Sequence, residues 1–221
     1  MEFIVETNGQ IYEISQLVTK VKLNERFNDG CSKFEFSYLN DDLIITNGSI
    51  ISFKYDNEKI FKGYVFKVER NESKEITVIA YDQLRYCKTK DTIVVEKETV
   101  TNVVKKMCNY FNLKTGALAD TKFILPTSAQ WDKTWLDIVY TAISDNLMAT
   151  GKKYCLRDNF GAIELKDLEE LTLNLALGDN SLVHGYSHTI SIDDNYYNQI
   201  KLALDNEKTG VRDVYVVKDS N

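Results

Sequence analysis

Hydrophobic and polar residues alternate along much of the N-terminal part of the chain. In the segment SKFEFSY at 32–38, aromatic residues occupy every second position, with lysine, glutamate and serine between them. A period of two is typical of a half-buried β-strand. Strand-like segments also lie at 2–5, 10–14, 49–55, 60–69 and 75–81. Six or seven such strands in residues 1–92 predict an antiparallel β-barrel or sandwich.

Short polar turns separate these predicted strands. Asn8 and Gly9 lie between the first two, and Asn-Gly is a strong hairpin signal because both residues tolerate positive φ. The tetrapeptide DNEK at 56–59 has a turn composition and lies between two further strands. The sequence therefore predicts two hairpins in the first domain.

The spacing of apolar residues changes to that of a helix face in the middle of the chain. The first series is Val100, Val103, Val104, Met107, Cys108 and Phe111. Thr99 is its predicted N-cap. A second helix is predicted after Thr134, with Asp137 at its third position and Gly151 at its end. Its apolar stripe is Trp135, Ile138, Val139, Ala142, Ile143 and Leu147.

A hairpin is predicted directly after the second helix. Segments 152–158 and 162–166 flank Asn159-Phe160-Gly161, a turn composition. Two helices and a small sheet make residues 93–175 a compact α+β unit. The predicted fold class is therefore mainly β, with a two-helix α+β domain inserted after the first barrel.

The last predicted strands lie at 198–204 and 211–218. A lone two-stranded hairpin is marginally stable in water, so it either pairs with the first domain or belongs to another barrel. We favour the second arrangement, in which 176–221 begins a second, incomplete β-barrel. The tetrapeptide DNEK occurs at both 56–59 and 205–208, a weak indication of two related β units.

Composition excludes several function classes. Of the 221 residues, 43% are hydrophobic and 27% are charged, the balance of a soluble protein with a core. The net charge of -6 disfavours stable nucleic-acid binding, which requires clustered lysine and arginine. No apolar run approaches the ~20 residues that a membrane-spanning helix requires. Acidic residues near the N-terminus, where a secretory signal would be basic, predict cytoplasmic synthesis.

No constellation of catalytic or metal-ligating residues emerges from the sequence. The two histidines, His184 and His188, have a spacing that suits a metal on a helix, but Gly185 between them favours a solvated loop. Adjacent acids at 41–42, 169–170 and 193–194 are typical of solvated turns, whereas glycoside hydrolysis requires two acids facing one cleft. We therefore predict no catalytic, cofactor-binding or metal-binding residues, and no cofactor.

The cysteines also lack a pattern that would indicate chemistry. The four are Cys31, Cys87, Cys108 and Cys155. No CxxC pair is present to begin a zinc site or a redox dithiol. A reduced cysteine behaves as a small hydrophobic residue, so free buried thiols are the favoured interpretation.

Polar and aromatic groups are most concentrated in the stretch AYDQLRYCKTKDT at 80–92. It follows the last strand of the first domain and precedes the first helix of the α+β unit. Asp82 is expected to cap a single helical turn at 83–86, with Leu84 facing the core and Arg85 facing a partner or solvent. A catalytic role would require a base or metal that the sequence does not supply. We interpret the stretch as a structural joint between two domains.

This stretch and several others resemble a known family, the baseplate hub proteins of contractile phage tails in Gram-positive bacteria (late control protein D-like tail hubs). The other matching segments are NLKTG at 112–116, TGKKY at 150–154, DNFG at 158–161, YNQIKL at 197–202 and DNEKTG at 205–210. The resemblance extends in order and spacing from about residue 2 to 219. Such hubs also occur in defective prophages and in phage-tail-like bacteriocins.

The resemblance implies a fold, partners and a location. It implies a homotrimer in which two tube-like barrels per subunit form a pseudo-sixfold ring at the end of the tail tube. The implied partners are the tail tube protein, the central spike protein, and the baseplate wedge and other tail proteins. The chain would be made in the host cytoplasm and incorporated into the baseplate of a virion or tail-like particle. Family members are usually longer, so the chain resembles their N-terminal two-thirds.

Two alternatives remain open at this point. Tyrosine-rich strands and paired acids also suit a cell-wall-binding module or a peptidoglycan hydrolase associated with a tail. A tail tube protein would share the barrel but would lack the α+β insertion. For the hub, residues 1–92 would be the first barrel, 93–175 the insertion and 176–221 the opening strands of the second barrel.

Overall fold

The computed structural model describes residues 1–39, 42–70, 72, 74–175, 187, 189–190 and 197–219. The chain divides into a first unit, Met1–Leu173, and a second unit, Asn174–Asn221. The fold is mainly β with a two-helix α+β region, which confirms the predicted fold class. No helix in the described part of the chain is both long and apolar enough to cross a bilayer.

Seven antiparallel strands form one sheet that curls into a half-barrel. They are β1 (Glu2–Thr7), β2 (Gln10–Glu13), β3 (Val18–Asn24), β4 (Lys33–Leu39), β5 (Ile50–Tyr55), β6 (Glu58–Arg70) and β7 (Glu75–Tyr81). Their order across the sheet is β2-β1-β5-β6-β7-β4-β3. The six strand segments expected from alternation are confirmed, whereas β3 was not predicted.

Aromatic side chains fill the concave face of this sheet. Phe34 stacks on Phe61 with ring centroids 4.6 Å apart, and Phe3 lies 4.7 Å from Phe36. Alternation along the strands sends these rings inward and their polar neighbours outward. Burial of such large apolar side chains, each worth roughly 1.5–3 kcal/mol, is the main stabilising term of this domain.

Both predicted hairpins are present in the sheet. Asn8 and Gly9 have φ values of 51° and 76° and connect β1 to β2. Asp56 and Asn57, with φ values of 50° and 64°, connect β5 to β6. Two consecutive residues with positive φ match the right-handed twist of the flanking strands. The second turn is shorter than the tetrapeptide predicted for it, because β6 already begins at Glu58.

The remainder of the first unit packs two helices against short strands. The elements are β8 (Lys90–Val95), α1 (Val100–Tyr110), β9 (Thr115–Leu118), β10 (Ser128–Thr134), α2 (Trp135–Thr150), β11 (Tyr154–Asp158) and β12 (Ile163–Asp167). β11, β12 and β9 form one sheet, in which β9 and β12 run parallel, and β10 pairs with β8. The helices and the β11–β12 hairpin were predicted, whereas β8, β9 and β10 were not.

The predicted helix caps are confirmed. The Thr99 hydroxyl accepts a hydrogen bond from the amide of Asn102 at 3.3 Å. At the start of α2, Thr134 accepts from the amide of Asp137 at 3.1 Å, and Gly151 ends the helix with φ of 75°. Each cap satisfies backbone groups that lack an intrahelical partner.

The second unit contains one described hairpin. β13 (Gln199–Asn206) and β14 (Val211–Lys218) pair antiparallel along their whole length. Ile200 faces Val217 and Leu202 faces Tyr215 across the two strands, and all four side chains are more than half exposed. This unit therefore presents an apolar face that the described residues of the hairpin do not bury.

The repeated tetrapeptide DNEK occupies two different hairpin geometries. In the first copy Asp56 and Asn57 are the turn itself. In the second copy Asp205 and Asn206 still belong to β13, and the turn that follows ends at Gly210 with φ of 66°. The two copies of DNEK therefore do not lie in equivalent hairpins, and the repeated tetrapeptide no longer supports two related β units.

Candidate functional site

The stretch at 80–92 forms a joint between the curled sheet and the helical region of the first unit. A 3-10 turn spans Gln83–Lys88, two residues longer than predicted. Asp82 caps it as predicted, with Oδ1 accepting from the Leu84 amide at 3.0 Å. Leu84 is buried as predicted. We refer to this turn as the joint turn.

Two carboxylates from distant parts of the chain meet at the start of the joint turn. The second oxygen of Asp82 accepts from the Ser32 amide, next to β4, at 2.8 Å. Asp158, at the end of β11, accepts from the Gln83 amide at 3.1 Å and also from the Gly161 amide. Successive amides of one turn thus bind carboxylates from two different elements.

Burial dominates the electrostatics of this pair. Asp82 is 2% exposed, and burial raises the pKa of its carboxyl group to about 7. The amides of Ser32 and Leu84 oppose that rise, and the negative charge of Asp158 adds to it. Burial likewise raises the pKa of Asp158, against the amides of Gly161 and Gln83.

Asn28, in the loop before β4, connects the sheet to the helical region through hydrogen bonds of the kind that a neighbouring strand would make. Its side-chain Nδ2 donates to the Tyr154 carbonyl at 2.7 Å, and its Oδ1 accepts from the Leu156 amide at 2.9 Å. These two backbone groups belong to β11, the outer strand of its sheet. One side-chain amide thereby pairs two backbone groups at the edge of the sheet that would otherwise require another strand.

Tyr140 makes a second bridge from α2 to the same loop. Its hydroxyl donates to the Gly30 carbonyl at 3.1 Å and accepts from the Gly30 amide at 3.1 Å. Burial raises the pKa of Tyr140 to about 12, so the hydroxyl keeps the proton that it donates. Gly30 has φ of 112°, a conformation that glycine adopts without strain.

An aromatic cluster on the convex face of the sheet anchors the other side of the joint turn. The Arg85 guanidinium lies 5.6 Å from the ring centroids of both Phe66 and Tyr81. Tyr86 packs against Phe66 at 5.8 Å and against Tyr64 at 5.7 Å. Arg85 therefore faces a partner within the chain, one of the two environments predicted for it. These cation–π and ring contacts fix the turn against β6 and β7.

The tip of the β11–β12 hairpin also rests on the sheet. The Lys59 ammonium lies 5.4 Å from the Phe160 ring centroid. A methyl group added at Gly161 would lie 3.2 Å from the Lys62 side chain and 3.3 Å from the side-chain nitrogen of Gln83. The hairpin tip is thus in close contact with both β6 and the joint turn.

The cysteines and acidic residues of the first unit have properties that suit a structural connection. All four cysteines are free, and burial raises the pKa of Cys87 to about 12 and of Cys108 to about 11. Thiols that remain protonated are poor nucleophiles. Within the described ranges, no group of three or more histidine, cysteine, aspartate or glutamate side chains is arranged to hold a metal ion.

Several residues considered for chemistry lie elsewhere or outside the description. Glu169 and Glu170 are exposed, and Glu170 lies 3.7 Å from the ammonium of Lys166. Asp42 is also exposed. The remaining candidates lie outside the described residues: Asp41, His184, His188, Asp193 and Asp194.

The sequence predicts the local part of the joint but not its contacts with distant residues. Asp82 and its turn were predicted, whereas Asn28, Tyr140 and Asp158 were not assigned any role. The composition Asn28-Asp29-Gly30 does indicate a loop with positive φ. Nothing in the sequence indicates which strand or helix that loop contacts.

The curled sheet with its attached helical region is a fold found in phage tail proteins of known structure. A tail protein from Neisseria meningitidis MC58 matches 99% of this chain and 67% of its own, with a TM-score of 0.70 at 14% identity. Prophage tail protein gp18 from Listeria monocytogenes matches 100% of this chain and 68% of its own, with a TM-score of 0.61 at 13% identity. The 43 kDa tail protein of prophage MuSo2 from Shewanella oneidensis matches 75% of this chain and 54% of its own, with a TM-score of 0.56 at 16% identity.

Sequence comparison gives the family. The model of the YQBQ-like family matches residues 21–221, and the chain belongs to that family. It is 28% identical to the uncharacterized protein YqbQ of Bacillus subtilis and 24% identical to the phage-like element PBSX protein XkdQ of the same organism. Each match covers 68% of this chain but only 46% of the relative, so the chain matches about half of their length.

Proposed function

We propose that this protein is a structural component of a phage tail or tail-like particle and serves as its baseplate hub. The observation that supports this most strongly is the fold, shared over 99% of the chain with a tail protein at a TM-score of 0.70. Membership of the YQBQ-like family and the similarity to a protein of the phage-like element PBSX agree with it. The hub role itself rests on the resemblance of the segments around 80–92 and 197–210.

The proposed assembly is a homotrimer that joins the tail tube to the central spike and contacts the baseplate wedge. Residues 1–92 would supply the first tube-like barrel and 93–175 the insertion. Residues 176–221 would begin the second barrel. The exposed apolar face of the β13–β14 hairpin supports that last assignment, because an isolated hairpin is marginal and further strands would bury it. The greater length of the curated relatives is consistent with such strands.

The proposed action is positional rather than catalytic. A hub must transmit the load of tail contraction, and the half-buried hydrogen bonds of Asn28, Tyr140 and Asp158 suit a domain that keeps its shape. The alternative, a cell-wall-binding module or peptidoglycan hydrolase, would require a facing acid pair or a binding cleft. A zymogram on purified peptidoglycan separates the two, since the hub predicts no clearing.

Subunit stoichiometry tests the hub proposal. In purified particles, quantitative mass spectrometry is expected to find three copies of the complete gene product in each particle, whatever the number of rings in its tail tube. The hub must match the tube through two barrels per subunit, so three subunits suffice. Six copies per ring would instead indicate a tube protein, and absence from the particle would contradict any structural role in the tail.

A further inference from the structure

The three-stranded sheet of the first unit brings polar side chains from three segments to one of its ends. β9 and β12 run parallel, so their C-terminal ends lie together, and antiparallel β11 begins at the same place. Tyr154 and Asp167 are direct partners on β11 and β12, so their side chains lie on the same face. Asp120 follows shortly after β9. One tyrosine and two carboxylates therefore share this end of the sheet.

A cavity of about 590 Å³ opens at this end of the sheet. Its wall is formed by the loop after β9, the C-terminal end of α2, the start of β11 and the end of β12. Besides Tyr154, its ionisable lining residues are Asp120, Lys122, Lys152, Asp167 and Glu170. Cavities of roughly 300–1,000 Å³ with a few convergent polar groups are the size that binds ligands.

The hydroxyl group of Tyr154 has no partner in this cavity. Tyr154 is 3% exposed, and its hydroxyl forms no hydrogen bond with any residue that the structure describes. In the same part of the chain, the unpaired side-chain atoms that are fully sealed from solvent are Gln130 Oε1 and Asn146 Oδ1. The Tyr154 oxygen is not among them, so it is open to the cavity that the residue lines. A nearly buried polar group without a partner indicates a place for a ligand atom or water.

Negative charge exceeds positive charge around this hydroxyl. Three acids and two lysines line the cavity, which leaves a net charge of -1. Burial raises the pKa of Tyr154, and the charges of Asp167, Asp120 and Glu170 raise it further. All three carboxylates are therefore within electrostatic reach of the phenol oxygen.

The lysines near the cavity neutralise these acids only loosely. Lys152 Nζ lies 3.9 Å from Asp167 Oδ2, and the Lys152 side chain is 62% exposed. Lys166 lies 3.7 Å from Glu170, whose side chain is 60% exposed. Lys122 is exposed and forms no ion pair with a described residue. Exposed pairs at such distances contribute little, so an entering cation can displace these lysines.

We propose that this cavity binds the guanidinium group of an arginine side chain presented by a partner protein. A guanidinium has five N–H donors in one plane, and the site offers it the carboxylate of Asp167 and the unpaired hydroxyl of Tyr154. The aliphatic stem of the arginine would pack against Ala119 and Phe123 on the wall. The free amino acid suits the site less well, because the acids would repel its own carboxylate. The inference concerns Met1–Leu173 alone and holds whether or not the chain is a hub.

A short arginine peptide tests the proposal. N-acetyl-glycyl-arginyl-glycinamide is titrated into the complete 221-residue protein, and binding is followed by amide NMR shifts. Saturable shifts are expected for the amides of Asp120, Thr121 and Glu170, and they should weaken at high salt because the charges are partly exposed. The same peptide with glutamine in place of arginine should cause none. Equal shifts with the glutamine peptide, or no saturable shift with the arginine peptide, would overturn the proposal.

Three substitutions are expected to change the affinity for this peptide in two directions. Tyr154→Phe removes only an unpaired hydroxyl and should weaken binding about fivefold without lowering the melting temperature. Asp167→Asn keeps the oxygen that accepts from the Glu169 amide at 3.1 Å and should weaken binding about tenfold. Lys152→Gln removes a competing ammonium group and should strengthen binding about two- to threefold.

Tyr110→Phe is the matched control for the tyrosine substitution. Tyr110 is 59% exposed at the end of α1 and does not line the cavity, so loss of its hydroxyl should leave peptide affinity unchanged. Lys152→Gln alters an exposed side chain and tests the site independently of any variant that folds poorly. Unchanged affinity in Tyr154→Phe, or weaker binding in Lys152→Gln, would contradict the proposed site.

Discussion

Replacement of Gly63 by alanine is expected to destabilise the first domain by more than about 3 kcal/mol and to reduce the yield of soluble protein sharply. A Cβ atom at this position in β6 would overlap the Tyr81 carbonyl oxygen, and would lie 2.6 Å from Phe61 Cζ and 2.8 Å from the Tyr81 carbonyl carbon. Backbone of a central strand cannot move aside as a flexible side chain can. The measurement is the free energy of unfolding in urea.

Gly48→Ala is the control for that substitution. Gly48 has φ of 86°, and no atom lies within 4 Å of an added Cβ. Its replacement therefore costs only the conformational strain of a left-handed residue, about 1 kcal/mol. Equal losses at the two glycines would show that close approach of β6 and β7 is not the reason for glycine at position 63.

Replacement of Asn28 by aspartate is expected to cost about 2–4 kcal/mol, the second largest effect. The carboxylate keeps an acceptor for the Leu156 amide but places its other oxygen against the Tyr154 carbonyl, which now lacks a donor. An unpaired acceptor facing a half-buried negative charge is costly. Urea unfolding measures the decrease in the free energy of unfolding. Hydrogen exchange should show the local effect as reduced protection of the Leu156 amide.

Asn8→Asp is the matched control for this change. Asn8 has nearly the same backbone conformation, with φ of 51° against 47° for Asn28, but is exposed in a hairpin turn. The same substitution there is expected to cost less than about 0.5 kcal/mol. Asn28→Gly, which keeps the backbone freedom and loses the amide, should fall between the two. A loss at Asn8 as large as at Asn28 would contradict the strand-imitating role.

Local patterns account for the elements that the sequence predicts well. Alternation in 32–38 reports which face of a strand is buried, and Thr134, Asp137 and Gly151 mark helix ends through contacts within a few residues. β10 escapes prediction because a bulge between Gln130 and Lys133 interrupts its alternation. β3 lies at the edge of its sheet, where its side chains are largely solvated and the period of two is weak.

The joint shows why a site of this kind is only half predictable. Asp82 caps the turn that directly follows it, so its role can be predicted from the neighbouring residues in the sequence. Asn28 binds Tyr154 across 126 positions, and Tyr140 binds Gly30 across 110. Such contacts depend on how the sheet and helical region pack, which no single segment specifies. The burial that raises the pKa of Asp82 is equally a product of that packing.

The central claim is that the chain serves as a fixed structural element at the end of a phage tail tube. Cryo-electron microscopy of the particle that carries the complete gene product tests it most directly. The claim predicts density for the curled sheet and its helical region in a threefold ring between the tube and the spike, with the Asn28 and Tyr140 bridges intact. Density for the chain along the tube, on a peripheral fibre or nowhere in the particle would contradict it.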